Sequence, residues 1–137
     1  MSIPQSATQS NTMIWVGRVV SALPALALIT SGIGKLMLPP EAAKGFTDLG
    51  WPVSVALGLG CVEIACAVIY LIPQTAVLGA ILTTGYLGGA VATHVRIGEY
   101  GMMAPAIVLG VLVWLGLYLR DARVRSLAPI RSLQLSR

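Results

Sequence analysis

A single carboxylate in the middle of a long apolar segment constrains the fold of this chain more than any other feature. The segment runs from Val53 to Ile72, is 20 residues long, and carries Glu63 as its one charged residue. A helix of that length extends about 30 Å, which matches the hydrocarbon core of a bilayer. A carboxylate at that depth costs roughly 2.5–3.5 kcal/mol on insertion scales, so Glu63 must face protein, water or a polar partner.

The composition indicates an integral membrane protein. Hydrophobic residues make up 56% of the 137 residues and charged residues only 10%, whereas a soluble domain is about 25% charged. A soluble bundle would also need a polar stripe along the solvent side of every helix. We therefore expect one domain with an all-α fold: a four-helix transmembrane bundle whose helices run up and down in antiparallel order.

Four apolar segments are long enough to span a membrane. The predicted spans cover residues 13–38, 53–72, 75–97 and 104–119, within a membrane domain of residues 13–120. The turn Pro73-Gln74 is so short that the spans beside it must form an antiparallel hairpin. Residues 1–12 are predicted to be a polar arm, without the basic start of a signal peptide. Residues 121–137 are predicted to form a basic cytoplasmic tail.

The distribution of basic residues predicts the topology. Five of the nine lysines and arginines lie at or after Arg120, and basic loops favour the cytoplasmic side. An even number of spans then places both termini in the cytoplasm, with the loops around Lys44 and Glu99 outside. Anionic lipid accounts for the basic tail better than nucleic acid does, since the chain lacks interleaved aromatic and basic residues.

Metal and disulfide chemistry are disfavoured. Cys61 and Cys66 are five residues apart, so on one helix they point about 140° apart and cannot pair. With a single histidine they cannot form a zinc or haem site on their own, and we predict no metal. The sequence has no phosphate-binding glycine loop and no nucleophile elbow, and it leaves open whether the protein is an enzyme.

Three of the predicted spans carry polar residues along one face, because residues three or four apart share a helix face. The fourth span lacks charge, so we expect a structural role, with Trp114 and Tyr118 packed or at the lipid interface. The polar faces of the first three spans contain, in chain order, Ser21, Ser31 and Lys35; Glu63 and Tyr70, with Cys66 at the edge; and Thr83, Tyr86 and His94.

These faces predict a candidate ligand-binding site formed by Lys35, Glu63, Tyr70, Tyr86 and His94. Lys35 and His94 are expected about 5 Å below the outer ends of their helices, and Glu63 about 15 Å deep. Because helical side chains lean toward the N-terminus of their helix, the three groups should approach each other. The alternative is that Glu63 forms a purely structural pair with Lys35 or His94.

Three motifs resemble the DoxX-like family of small membrane proteins: SGIGKL at residues 31–36, LGCVEIACAV at 59–68 and GYLGGAVATHVRIGE at 85–99. The resemblance reaches from the first span through the third. It implies a four-helix membrane bundle and an association with sulfur and quinone redox metabolism. It also supports Lys35, Glu63 and His94 as candidate site residues. It further implies assistance in receptor assembly in a related branch. The chain has no sulfur-handling domain or cysteine cluster, which argues against thiosulfate oxidation by this chain alone.

Two functional hypotheses from different classes follow. The first is a membrane subunit that binds a small lipophilic ligand, such as a quinone cofactor, between its helices and works with a redox partner. The second is a non-enzymatic scaffold or assembly factor that contacts other membrane proteins. A small transporter is a weaker third hypothesis, because four helices without a repeat rarely suffice in a monomer. We expect a bacterial inner membrane as the location, and oligomers are possible.

Overall fold

Residues 10–127, which the computed structural model describes, form six α-helices. Most of the predicted N-terminal arm, and the part of the tail with Arg131 and Arg137, lie outside these residues. Short 3₁₀ turns at Val53–Val55 and Tyr100–Met103 precede α3 and α5. The α-helices are α1 (Asn11–Met37), α2 (Pro40–Asp48), α3 (Ala56–Leu71), α4 (Ala76–Arg96), α5 (Ala104–Arg120) and α6 (Ala122–Leu127).

Four of these helices form a closed ring. Helix α1 packs against α3 and α5, and α4 completes the ring by packing against the same two helices. Within the described part of the chain, four stretches are long and apolar enough to cross a membrane: Asn11–Met37, Val53–Leu71, Ala76–Arg96 and Tyr100–Arg120. The predicted all-α, four-helix transmembrane bundle is confirmed, and the span ends differ from the predicted ones by at most a few residues.

Prolines set several helix boundaries. Helix α1 ends at Met37 because Leu38 adopts a left-handed conformation and Pro39 begins the next segment in an extended one. Pro105 lies in the first turn of α5, where its missing N–H costs nothing. Pro24 instead lies within α1, and the helix continues through it with the proline buried in the bundle. Membrane helices tolerate such a proline because neighbouring helices and polar side chains can supply a new hydrogen-bond partner for the freed carbonyl.

The connection between α1 and α3 is itself helical. In α2 the phenyl ring of Phe46 is buried, and the Trp51 N–H donates to the Phe46 carbonyl at 2.8 Å. Arg96, at the end of α4, donates to the Leu49 carbonyl and lies over the Trp51 ring. The residues just after α2 therefore join the α1–α3 connection to the end of α4.

The interior of the bundle combines small residues and a few polar groups with several larger side chains, and large apolar side chains cover much of its outside. Fully buried side chains include Leu28, Tyr70, Thr83 and Val113. Large apolar side chains cover the outer surface of the spans, among them Trp15, Leu26, Leu57, Ile81 and Val111. Such a surface is soluble in lipid and insoluble in water, as expected for helices that cross a bilayer.

Helix α5 contributes mainly packing. Val113, Gly116 and Leu117 are buried in the bundle. The Trp114 indole N–H donates to the Thr84 hydroxyl of α4 at 2.9 Å. The indole therefore joins two helices at the bundle surface, where its polar N–H needs a partner once water is absent.

Candidate functional site

An ion pair between α1 and α3 forms the centre of the candidate site. The Lys35 ammonium Nζ donates to Glu63 Oε2 at 2.6 Å. The same ammonium donates to the Ser31 hydroxyl at 2.6 Å, and that hydroxyl donates onward to Glu63 Oε2 at 3.3 Å. Three side chains thus form a closed triangle in which both hydrogen bonds to the carboxylate end on one oxygen, Oε2.

The two charges differ in their exposure. The Glu63 side chain is 5% exposed, whereas the Lys35 side chain is 21% exposed. Lys35 lies in the last turn of α1, so its stem extends from the helix end toward the carboxylate. A buried carboxylate in a membrane helix is costly, and a partner of opposite charge offsets much of that cost. The ammonium remains the part of the pair that an incoming molecule can reach.

Two glycines allow the helices to approach closely enough for this pair. A Cβ added to Gly60 would lie 2.9 Å from the Gly32 carbonyl oxygen and 3.1 Å from Lys35 Cβ. A Cβ added to Gly32 would lie 3.0 Å from the Gly60 carbonyl oxygen. Small residues at a crossing point let membrane helices pack backbone to backbone. The crossing at Gly32 and Gly60 is one turn from both charged residues, and it fixes their separation.

Helices α3 and α4 add further polar groups around the carboxylate. The Tyr86 phenol of α4 and the Cys66 thiol of α3 both lie within reach of the Glu63 charge. One turn before Tyr86 on α4, the Thr83 hydroxyl is buried and has no hydrogen-bond partner among the described residues. A buried hydroxyl without a partner is unusual in a folded protein, and it marks a place where a ligand group or a water would be bound.

His94 has a partner of its own at the end of α4. Its Nδ1 is 3.3 Å from Glu99 Oε2, so the imidazole pairs with the loop that follows α4. Within residues 10–127, no hydrogen bond or ion pair joins His94 to Lys35 or Glu63. The convergence of His94 with Lys35 and Glu63 therefore stays a prediction, and the contact that the imidazole makes is with Glu99, five residues along the chain.

Tyr70 belongs to a second polar cluster. Its hydroxyl donates to the Val113 carbonyl at 2.8 Å and lies 2.9 Å from the Ser21 hydroxyl. One phenolic O–H has a single proton, so Ser21 is the donor in the second contact. The Arg120 guanidinium lies 4.7 Å from the centre of the Tyr70 ring and donates to the Tyr70 carbonyl at 2.8 Å. This cluster joins α1, α3 and α5 two helical turns from Glu63.

Comparison with known proteins identifies the family of the chain. A model of the DoxX-like family matches residues 19–116, which is most of the chain. The chain belongs to the DoxX-like family. The resemblance predicted from three short motifs is therefore confirmed, and the matched range includes Lys35, Glu63 and His94. No curated protein and no solved structure matches the chain.

The site predicted from the sequence of this DoxX-like chain did not include Ser31 or Cys66. Ser31 lies one turn before Lys35 on the same polar face, and that spacing was the signal for a shared role. Cys66 lies three residues after Glu63, on the next turn of α3. Among residues 10–127, no group of three or more His, Cys, Asp or Glu side chains is placed to hold a metal ion.

Proposed function

We propose that this DoxX-like protein binds a small lipophilic ligand with a carbonyl or hydroxyl group, such as a quinone, beside Lys35 and Glu63. The observation that carries the proposal is the ion pair, with Glu63 buried and Lys35 partly exposed, inside a bundle of membrane-spanning helices. Ionisable groups inside a membrane are costly, and they are typically functional. The wider role would be that of a membrane subunit in a redox system.

Each polar group has a specific task in such a site. The Lys35 ammonium would donate a hydrogen bond to a ligand carbonyl, and the Tyr86 phenol would donate a second one. Glu63 holds the ammonium in place and would accept a proton from a ligand hydroxyl through the oxygen that Lys35 and Ser31 leave unbound. A quinone would supply the redox chemistry, with a partner protein providing the electrons.

Ligand binding can be tested on the purified protein in nanodiscs. Lipid extraction and mass spectrometry would show whether a quinone co-purifies in a fixed ratio. Quenching of tryptophan fluorescence by a short-chain ubiquinone analogue would then give the affinity. Loss of one charged hydrogen bond should weaken binding by about tenfold or more in Lys35→Gln and Glu63→Gln. Lys44→Gln, which disrupts the exposed Lys44–Asp48 pair, is the matched control.

Circular dichroism of the same samples separates ligand loss from unfolding. Unchanged quinone affinity in well-folded Lys35→Gln and Glu63→Gln proteins would contradict the proposal. The ion pair would then be structural. Weakened binding in Lys44→Gln to the same extent would show a general charge effect instead of a site.

The alternative function, a scaffold for other membrane proteins, is favoured by one observation. Gly85 and Gly89 lie one turn apart on α4, and an added Cβ at either would meet open space. Exposed small residues at this spacing suit close packing with another membrane helix. A protein that co-purifies with the wild type and with Gly58→Leu, and is lost with Gly89→Leu, would favour this function; Gly58 also faces open space.

We also propose a bacterial inner membrane location with both termini in the cytoplasm. Arg18, Arg120, Arg123 and Arg125 support this orientation, because they lie at the bundle end where α1 begins and α5 ends. Membrane-impermeant maleimide applied to spheroplasts should label Lys44→Cys and spare Ser126→Cys, with Cys61 and Cys66 changed to alanine. Labelling of Ser126→Cys from outside would reverse the orientation.

A further inference from the structure

We propose that this protein binds a negatively charged phosphate group in a pocket at the opposite end of the bundle from Lys35. The pocket is about 230 Å³ in volume. That volume is below the ~300–1,000 Å³ of a typical pocket for a drug-sized molecule, and it suits one lipid head group or a free phosphate ion. The inference is independent of the ligand proposed for the Lys35–Glu63 site.

The pocket is built from four separate parts of the chain. Arg18 comes from α1, Pro73 from the turn between α3 and α4, Arg120 from the end of α5, and Arg123 from α6. The backbones of α1 and α5 meet beside it, since a Cβ added to Gly17 would lie 2.7 Å from the backbone nitrogen of Arg120. The position of Arg120 at the pocket wall is therefore set by backbone packing.

The charges around the pocket do not balance. Three guanidinium groups face one carboxylate, Asp121. That carboxylate is already paired, because Arg123 donates to Oδ1 at 3.3 Å and to Oδ2 at 3.2 Å. Within residues 10–127, neither Arg18 nor Arg120 forms a salt bridge with any carboxylate. Two positive charges at the pocket are thus left for a ligand.

Arg18 and Arg120 are also held in place without using most of their donors. Arg18 lies 5.1 Å from the centre of the Trp15 ring, and Arg120 lies over Tyr70. The Arg120 Nη2 donates to the Tyr70 carbonyl, whereas its Nε is buried and has no acceptor. Stacked guanidiniums with spare N–H groups bind phosphate oxygens in pairs and with little loss of side-chain freedom.

The place of the pocket fits a phosphate at the membrane surface. Its walls include the last residue of a membrane span, Arg120, and the residues just after it. Lipid phosphates lie at this level, and basic pockets between membrane helices bind anionic head groups. Trp15 and Arg18 together provide the amphipathic side chains that prefer this interface.

Melting temperatures of the full-length protein in detergent micelles would test the site. Phosphatidylglycerol should raise the melting temperature in a saturable way, whereas phosphatidylcholine should have little effect. Arg18 is exposed at the surface, so Arg18→Gln should fold and bind phosphatidylglycerol about tenfold more weakly. Lys44→Gln removes one positive charge at the other end and should leave the affinity unchanged.

Further measurements with inorganic phosphate and with the two lipids identify the source of the phosphate and can overturn the proposal. Stabilisation by inorganic phosphate alone, lost in Arg18→Gln, would assign the pocket to a free phosphate group. Stabilisation by phosphatidylglycerol without any effect of inorganic phosphate would assign it to a lipid head group. Equal effects of the two lipids, or equal weakening by Arg18→Gln and Lys44→Gln, would overturn the site.

Discussion

Lys35 and Glu63 are 28 residues apart in the sequence, and their charged atoms lie 2.6 Å apart between α1 and α3. The pair is unequal, because the carboxylate is enclosed by the bundle while the ammonium is near a helix end. If one partner is removed, the remaining charge must find another polar environment. The partly exposed ammonium can reach the membrane surface, whereas the buried carboxylate cannot. The consequences for stability are therefore expected to differ between the two sides of the pair.

Lys35→Met should destabilise the protein more than Glu63→Gln. Removal of the ammonium leaves a buried carboxylate without its counter-charge, a change that costs about 3–5 kcal/mol. Removal of the carboxylate leaves an ammonium that can extend to the membrane surface, and about 1–3 kcal/mol is expected. Unfolding of both variants in mixed micelles would give the two values, and a smaller loss in Lys35→Met would contradict this interpretation.

Gly60→Ala should weaken the contact between α1 and α3. The added methyl group would lie too close to the Gly32 carbonyl oxygen, which belongs to the backbone and cannot rotate away. Separating the helices should cost about 1–3 kcal/mol and lengthen the Lys35–Glu63 pair. The control is Gly58→Ala on the same helix, where an added Cβ meets open space. That variant should be neutral or slightly stabilised, and equal losses in the two variants would exclude the crossing as the cause.

Tyr70→Phe should destabilise the bundle without affecting ligand binding at Lys35. The change removes the hydroxyl between Ser21 and the Val113 carbonyl and leaves both buried groups with fewer partners. A loss of about 1–3 kcal/mol is expected in thermal or denaturant unfolding. Tyr100→Phe, at an exposed position, is the control and should change stability little. A changed quinone affinity in Tyr70→Phe would indicate that Tyr70 contributes to ligand binding, as the sequence predicted.

The start of α6 should respond to acid. The Asp121 carboxylate accepts hydrogen bonds from the Arg123 backbone and side chain, and the side-chain bond in particular holds the pKa of Asp121 below its ordinary range. A lowered pKa means that the stabilisation is present above the unfolded-state value of about 3.9 and is lost as the pH falls through the folded value.

Hydrogen exchange of the amides in residues 122–127 would measure this response. Their protection, corrected for the intrinsic pH dependence of exchange, should be constant near neutral pH and decrease below about pH 4. Asp121→Asn keeps a side-chain oxygen that can accept the hydrogen bond of the Arg123 N–H, and it removes the charge. The protection of α6 in this variant should therefore not vary with pH. Protection of the wild type that stays constant down to pH 2 would show that the pair does not hold α6.

Much of the fold was determined by the sequence, because each span is encoded locally. Twenty or so apolar residues between prolines or polar loops leave the backbone no alternative to a helix in lipid. The short turn at Pro73-Gln74 then made α3 and α4 antiparallel neighbours. The small residues beside Glu63 indicated a close helix contact, but a helix face alone does not identify the helix that packs against it.

The tertiary structure decided which polar residues share a site. Depth and helix direction were enough to predict that Lys35 and Glu63 approach each other, since both depend only on residue spacing. They did not identify the partners of Tyr70, because Ser21 and the Val113 carbonyl come near its hydroxyl only after α1, α3 and α5 have packed together. They also did not identify Glu99 as the partner of His94, because that contact depends on how the loop after α4 folds back. The arginine pocket joins residues more than 50 positions apart, and such a juxtaposition exists only once α1 and α5 have come into contact.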